Sequence, residues 1–301
     1  MNRTSESKSF WRVLGPMLLY WGIEFVAQFI AELVLIIPNA QKIVESAELK
    51  ETMTNEEVQK ATMQMALKAT EIFLEHQVEI MAVAVLCTIP LTFYLFLKDR
   101  KKEKELQLLL NKKASGVQYL KIIVLGAVVC VGSTCLATMA NLAMASAAYQ
   151  ETSEAFYAAG FPVQILCLGI IIPVAEELMY RGVLYKRLRE RGGFWGAAFS
   201  SAFLFALSHG NIVQFLYALG LGLLLAYVYE KYGSLKAPIL LHITANLLSL
   251  ICTEMSVYDW IALSPKRMAA AVIVCAFVGA VMFVLIQRIE EKPNLPESEE
   301  N

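Results

Sequence analysis

Glu176 and Glu177 stand side by side after the uncharged stretch Phe161–Ala175, and Arg181 follows four residues after Glu177. A carboxylate can take a proton from water, and an arginine one helical turn away can pair with a second carboxylate. Further along, His209, His242 and Asn246 fall in or at the end of apolar segments. Imidazole carries protons near neutral pH, and a carboxamide can donate hydrogen bonds to a developing oxyanion. Carboxylate, imidazole and amide are the parts of a site that hydrolyses a bond with activated water. The chain has neither G-x-S-x-G nor H-E-x-x-H, so neither a serine elbow nor a zinc-binding helix of that kind is indicated.

Charged groups at bilayer depth cost roughly 2.5–3.5 kcal/mol each at a helix centre. Three of them within six residues therefore cost on the order of 10 kcal/mol unless paired, neutralised or facing water. A helix that only anchors the chain would not carry them. Positions four apart on a helix nearly eclipse, while adjacent ones lie about 100° apart. Glu177 is thus expected to pair with Arg181, near a helix end with both side chains snorkelling towards the headgroups. Glu176 shares its face with Tyr180 and has no basic partner there, which suits it to general-base work. Pro173 removes a backbone hydrogen bond and predicts a kink that widens a cavity beside the acids. Phe205 and His209 share one face, as do His242 and Asn246. Intramembrane polar side chains face a bundle interior or a wet cavity, so Glu176, His209, His242 and Asn246 are expected to converge from three helices. His209 lies far along its segment from the basic end, and Glu176 and His242 lie closer to it. Convergence therefore requires tilted or broken helices. The plainer alternatives are a buried acid at Glu176, a loop histidine at His209, and interhelical hydrogen-bond glue at His242–Asn246.

The elements that must position these residues are membrane helices. The chain has 301 residues, is 57% apolar and has a mean hydropathy of +0.53. That composition predicts an all-α, polytopic transmembrane helical bundle of about eight spans, near 14–37, 76–97, 119–143, 161–185, 195–210, 212–230, 236–253 and 268–288. The fifth is rich in small residues that allow close helix approach. A net charge of -1 gives no support for nucleic-acid binding. None of the six cysteines forms a C-x-x-C pair, and they read as small apolar residues. The first apolar run, preceded by Arg3, Lys8 and Arg12, reaches Pro38 and is too long for a signal-peptide core. Basic loops at Lys98–Lys121 and Lys186–Arg191 predict an integral protein, in the cell membrane, with both termini cytoplasmic. Thr54 and Glu57 match a capping box that opens an amphipathic helix running into the second span. Glu24 and Glu32 are expected to be structural or cavity-lining, His76 to be solvated, and the tail from Pro293 to be disordered. The organisation predicted is 1–160 for the N-terminal spans, with an amphipathic extramembrane helix and a basic cytoplasmic loop. Residues 161–253 form the catalytic core, and 254–301 the last span and an acidic tail.

Glu176-Glu177-Leu-Met-Tyr-Arg181, Phe205-Ala-Leu-Ser-His209 and His242-Ile-Thr-Ala-Asn246 resemble the E-E-x-x-x-R, F-x-x-x-H and H-x-x-x-N motifs of the CPBP family of intramembrane proteases. That family includes the CAAX prenyl endopeptidases and bacteriocin-processing and immunity proteins. The resemblance spans about residues 160–252, in the family's order. It implies an intramembrane endopeptidase in which Glu176 and His209 activate water and His242 and Asn246 stabilise the oxyanion. Glu177, Arg181, Tyr180 and Phe205 would support them. The substrate implied is a peptide or lipidated protein held at membrane lipid. No metal is firmly implied, and zinc on Glu176, His209 and His242 is the alternative. A weaker family motif between the second and last has no clear counterpart, with Asn211 and Gln214 the only polar residues before Tyr217. Two other classes remain open: a non-catalytic immunity or scaffolding protein, and a proton-coupled transporter, for which no inverted repeat is evident.

Overall fold

The computed structural model describes residues 3–47, 49, 52–105, 113–140 and 146–289. Every regular element among them is helical, as lipid demands of a chain that must satisfy its own backbone polar groups. We number the helices α1 (Arg3–Glu45), α2 (Asn55–Glu105), α3 (Tyr119–Met139), α4 (Ala147–Ala158), α5 (Phe161–Arg189), α6 (Phe194–Leu207), α7 (Ile212–Tyr232), α8 (Lys236–Glu254), α9 (Val257–Ala262) and α10 (Pro265–Gln287). Seven of them, α1, α2, α3, α5, α7, α8 and α10, are long and apolar enough to cross a membrane. The molecule is an integral membrane helical bundle.

The expected eighth span is α6, which has only 14 residues. At 1.5 Å per residue it is about 21 Å long, against roughly 30 Å of hydrocarbon. Its early end has a local cause. Ser208 Oγ bonds back to the Phe205 carbonyl at 2.7 Å, Gly210 adopts a left-handed φ of 76°, and the Asn211 side chain caps α7 by accepting from Gln214 N at 2.9 Å. The chain reverses partway down. His209 therefore lies in the turn that follows this short helix, just before the left-handed Gly210. Asn211 and Gln214 are absorbed by this cap and by their own side-chain bond at 2.8 Å.

The capping box forms: Thr54 N donates to Glu57 Oε2 at 2.8 Å and Glu57 N to Thr54 Oγ1 at 3.3 Å. From there α2 runs unbroken for 51 residues, and His76 on it is exposed. All six cysteines are free. The tail from Pro293 lies outside the described residues.

Of the basic segments expected as loops, 98–105 is the end of α2 and 186–189 the end of α5, and ion pairs knit these two ends together. Arg187 grips both oxygens of Asp99, at 2.7 and 3.3 Å, and donates to the Arg12 carbonyl at 2.6 Å. Lys186 meets Glu103 and Arg12 meets Glu190, each at 2.7 Å. These charges lock the registers of α1, α2 and α5. Above them a core of Met17 and Tyr20 from α1, Tyr180 and Leu184 from α5, and Phe205 from α6 closes around the acid pair.

Candidate active site

The helix that carries the acids departs from ordinary α geometry on both sides of them. Cys167–Ile171 and Leu178–Tyr185 are π-helical, while Ile172–Glu177 between them is α-helical. In the π pattern each N–H reaches the carbonyl five residues back, and the residue five before Pro173 is Leu168. Pro173 has no N–H to give. Asn246 Nδ2 on α8 supplies the missing donor and bonds the Leu168 carbonyl at 2.9 Å. The expected simple kink is thus a widened helix bridged by a side chain from its neighbour. Close packing of α8 depends on Gly169, where a Cβ would run into the Leu247 side chain. Asn246→Ala is expected to orphan the Leu168 carbonyl and to cost about 1–3 kcal/mol, read as a lower unfolding temperature in detergent.

His242 stands between the two acids. Its Nδ1 lies 3.0 Å from Glu177 Oε1, and its Nε2 lies 3.8 Å from Glu176 Oε2. Arg181 Nη1 binds the same Glu177 oxygen at 2.8 Å, and Arg181 Nη2 donates to the Gly222 carbonyl at 3.0 Å. The Glu177 and Arg181 side chains are both 0% exposed, and that of Glu176 is 15% exposed. The pair is therefore not a snorkelling surface pair but a sealed one at the centre of the bundle. It is sealed because α7 passes so close. A Cβ at Gly222 would lie 2.9 Å from Ala202 Cβ and 3.1 Å from Arg181 Nη2. Gly222→Ala is expected to force α6, α7 and Arg181 apart, with a loss of about 1–3 kcal/mol on thermal unfolding.

Glu177 does more than occupy Arg181. Paired with the guanidinium, it accepts from His242 Nδ1–H, which fixes the ring's orientation and turns Nε2 towards Glu176. His209 is held in the same sense. Its Nδ1 lies 2.9 Å from the Phe205 carbonyl, which can only accept, so Nδ1 carries the proton and Nε2 of the neutral ring is the acceptor. Phe205 stands edge-on between the two imidazoles, 4.8 Å from His209 and 5.8 Å from His242 by ring centre. Its face takes the Arg181 guanidinium at 4.6 Å, and Tyr180 packs against it at 5.1 Å.

Glu176, Glu177, Arg181 and His242 are in direct contact, and His209 joins them through Phe205. Asn246 touches the acid-bearing helix two turns before Glu176. Two participants escaped the sequence reading: Trp21 of α1 donates to the Tyr180 hydroxyl at 3.3 Å, and Tyr20 packs against the Tyr180 ring at 6.2 Å. Their signal was the spacing of Met17, Tyr20, Trp21 and Glu24 along one face. Glu24, on the same face of α1, lies close enough for its charge to act on Glu176 and Tyr180. Glu177 Oε2 and Arg181 Nε are buried with no hydrogen-bond partner among the described residues. Unsatisfied buried polar atoms are costly.

Imidazoles whose Nδ1–H is fixed by an oxygen also occur around bound metal. Among the described residues, however, no three histidine, cysteine or carboxylate side chains are gathered so as to hold a metal ion. The donors of the zinc alternative are of the right kind but do not form a ligand set in this arrangement.

With the geometry in hand, the resemblance read from the motifs holds. Residues 158–248 match the family model described as type II CAAX prenyl endopeptidase Rce1-like. The chain is similar to the "Putative membrane peptidase YdiL" of Bacillus subtilis (strain 168), with 26% identity over 85 residues, 28% of this chain and 35% of that protein. It is also similar to the "UPF0177 protein YaiF" of Lactococcus lactis subsp. lactis (strain IL1403), with 35% identity over 89 residues, 29% of this chain and 39% of that protein. The chain spans little more than a third of the length of these relatives. No solved structure matches it.

Proposed function

We propose that the chain is an intramembrane endopeptidase that hydrolyses a peptide bond of a membrane-held substrate with water activated at Glu176. The observation that carries this reading is the His242 imidazole set between two carboxylates. One of them, Glu177, is spent on Arg181 and on orienting the ring, and the other, Glu176, is left to work. The family match over 158–248 supports the reaction class.

Glu176 takes a proton from water as the water oxygen attacks the scissile carbonyl, and passes that proton to the leaving amide nitrogen. The acceptor Nε2 of His209 holds and orients the water. Oxyanion donors are Asn246, which has one amide hydrogen beyond that given to Leu168, and His242, which can donate from Nε2 when its ring carries both protons. Each such donor contributes roughly 3–4 kcal/mol to the transition state in comparable sites. The products are a carboxylic acid and an amine, so atoms balance with water as the sole co-reactant.

The test is cleavage of membrane-anchored peptides, with and without lipid modification, by purified protein in liposomes containing ¹⁸O-labelled water. One labelled oxygen in the new carboxyl terminus is expected, with turnover unchanged by chelator. Absence of cleavage products across the peptide set would favour the immunity or scaffolding role, and loss of activity on chelation would move the mechanism to a metal.

A further inference from the structure

His209 is tied to α1, a helix that lies outside the family match over 158–248. The indole Nε1 of Trp21 donates to the Tyr180 hydroxyl at 3.3 Å. An indole N–H in a membrane span has to find its acceptor within the bundle, because acyl chains offer none. Tyr180 is 1% exposed, with its ring wedged between Tyr20 at 6.2 Å and Phe205 at 5.1 Å. That packing fixes the Tyr180 hydroxyl, which is also hydrogen-bonded to the Ser208 side chain. Ser208 Oγ in turn donates to the Phe205 carbonyl at 2.7 Å, and His209 Nδ1 donates to the same oxygen at 2.9 Å.

The donors in this series all point one way. Ser208 spends its proton on Phe205, so its oxygen accepts from the Tyr180 O–H, whose own oxygen accepts from Trp21. The Phe205 carbonyl has two lone pairs and ends the series by taking both Ser208 and His209. We infer that Trp21 and Tyr180 are positioning residues for His209, which act through Ser208 and the Phe205 carbonyl to hold its Nδ1–H and keep Nε2 free for water. Hydrogen bonds in series polarise one another in a low-dielectric interior, so each link firms the next. Tyr180 also sits on the acid-bearing helix, four residues after Glu176, and the series thereby fixes His209 relative to that acid. The role at water rests on the peptidase reading, while the hold on the ring stands without it.

The protein has three histidines, His76, His209 and His242, so ¹⁵N labelling of histidine alone reports each ring separately by NMR in detergent micelles. At about pH 8, above the ordinary imidazole range, His209 of the parent is expected to show a protonated Nδ1 and a bare Nε2. Tyr180→Phe removes the hydroxyl and keeps the ring. It is expected to mix the two His209 tautomers and to lower kcat about tenfold with KM unchanged. Trp21→Phe is expected to act in the same sense by about threefold. Ser208→Ala is expected to match Tyr180→Phe, and Ser208→Thr, which restores a hydroxyl, to match the parent. The double variant Tyr180→Phe/Ser208→Ala is expected to fall no further than either single change. Tyr185→Phe is the control: it deletes a hydroxyl on the same helix, bonded to Glu230 at 2.7 Å outside the series, and is expected to leave the His209 signals and kcat of the parent. Unchanged His209 signals in Tyr180→Phe, an equal change in Tyr185→Phe, or additive losses in the double variant would each overturn the proposal. A parent protein that cleaves no peptide would remove the proposed reaction and leave the histidine spectra to decide the hold on the ring.

Discussion

Glu176→Gln is expected to lower turnover of any cleaved peptide by about 10²–10⁴-fold while leaving the unfolding temperature unchanged. Glutamine keeps the size and hydrogen-bonding shape of the side chain but cannot take a proton from water. Among the described residues the ionic contact of the Glu176 carboxylate is His242 at 3.8 Å, beyond hydrogen-bond reach, so the fold loses little when its charge is removed. Steady-state kinetics with a thermal melt on the same sample separate the two quantities. Activity within tenfold of the parent would show that the base is another group, and the nearby Glu24 would be the first to examine.

Arg181→Ala is expected to have the largest effect on stability, about 3–5 kcal/mol, measured by equilibrium unfolding in mixed micelles. The guanidinium is fully buried and serves Glu177, the Gly222 carbonyl and the Phe205 face at once. Removing it strands the Glu177 carboxylate in the core, and a buried unpaired charge costs far more than a missing contact. Activity is expected to fall as well, because Glu177 would no longer hold His242 in register. The double variant Arg181→Met/Glu177→Gln removes both charges and is expected to recover part of the stability but not the activity. Recovery of both would mean that the pair serves packing alone.

The three motifs and the helical class were legible because bilayer physics makes charge conspicuous: Glu176, Glu177, Arg181 and His242 stand out in segments otherwise almost free of charged groups. The i,i+4 rule found the Glu177–Arg181 pair but misjudged its depth, because burial depends on how closely a different helix approaches. That closeness rests on Gly222, whose missing side chain gives no periodic signal. Residue spacing also divided the two acids by helix face, assigning Glu177 to Arg181 alone. His242, 65 residues away, reaches both of them, and a partner that remote cannot be read from local periodicity. Nor could the π-helical turns be anticipated, since Pro173 announces a lost hydrogen bond without saying who replaces it. Tyr20 and Trp21 were missed because aromatic residues in a membrane span ordinarily face lipid or the interface.

A fourteen-residue rod cannot fill a thirty-ångström slab. Around α6 and the reversal at Gly210 the lipid must dip or solvent must descend to meet the polar turn. The proposed hydrolysis would consume one solvent molecule per event in a medium that excludes solvent, and a shortened traverse offers a way to obtain it without a bored channel. Cutting one crossing short draws the wet boundary inward, towards the imidazole that follows it.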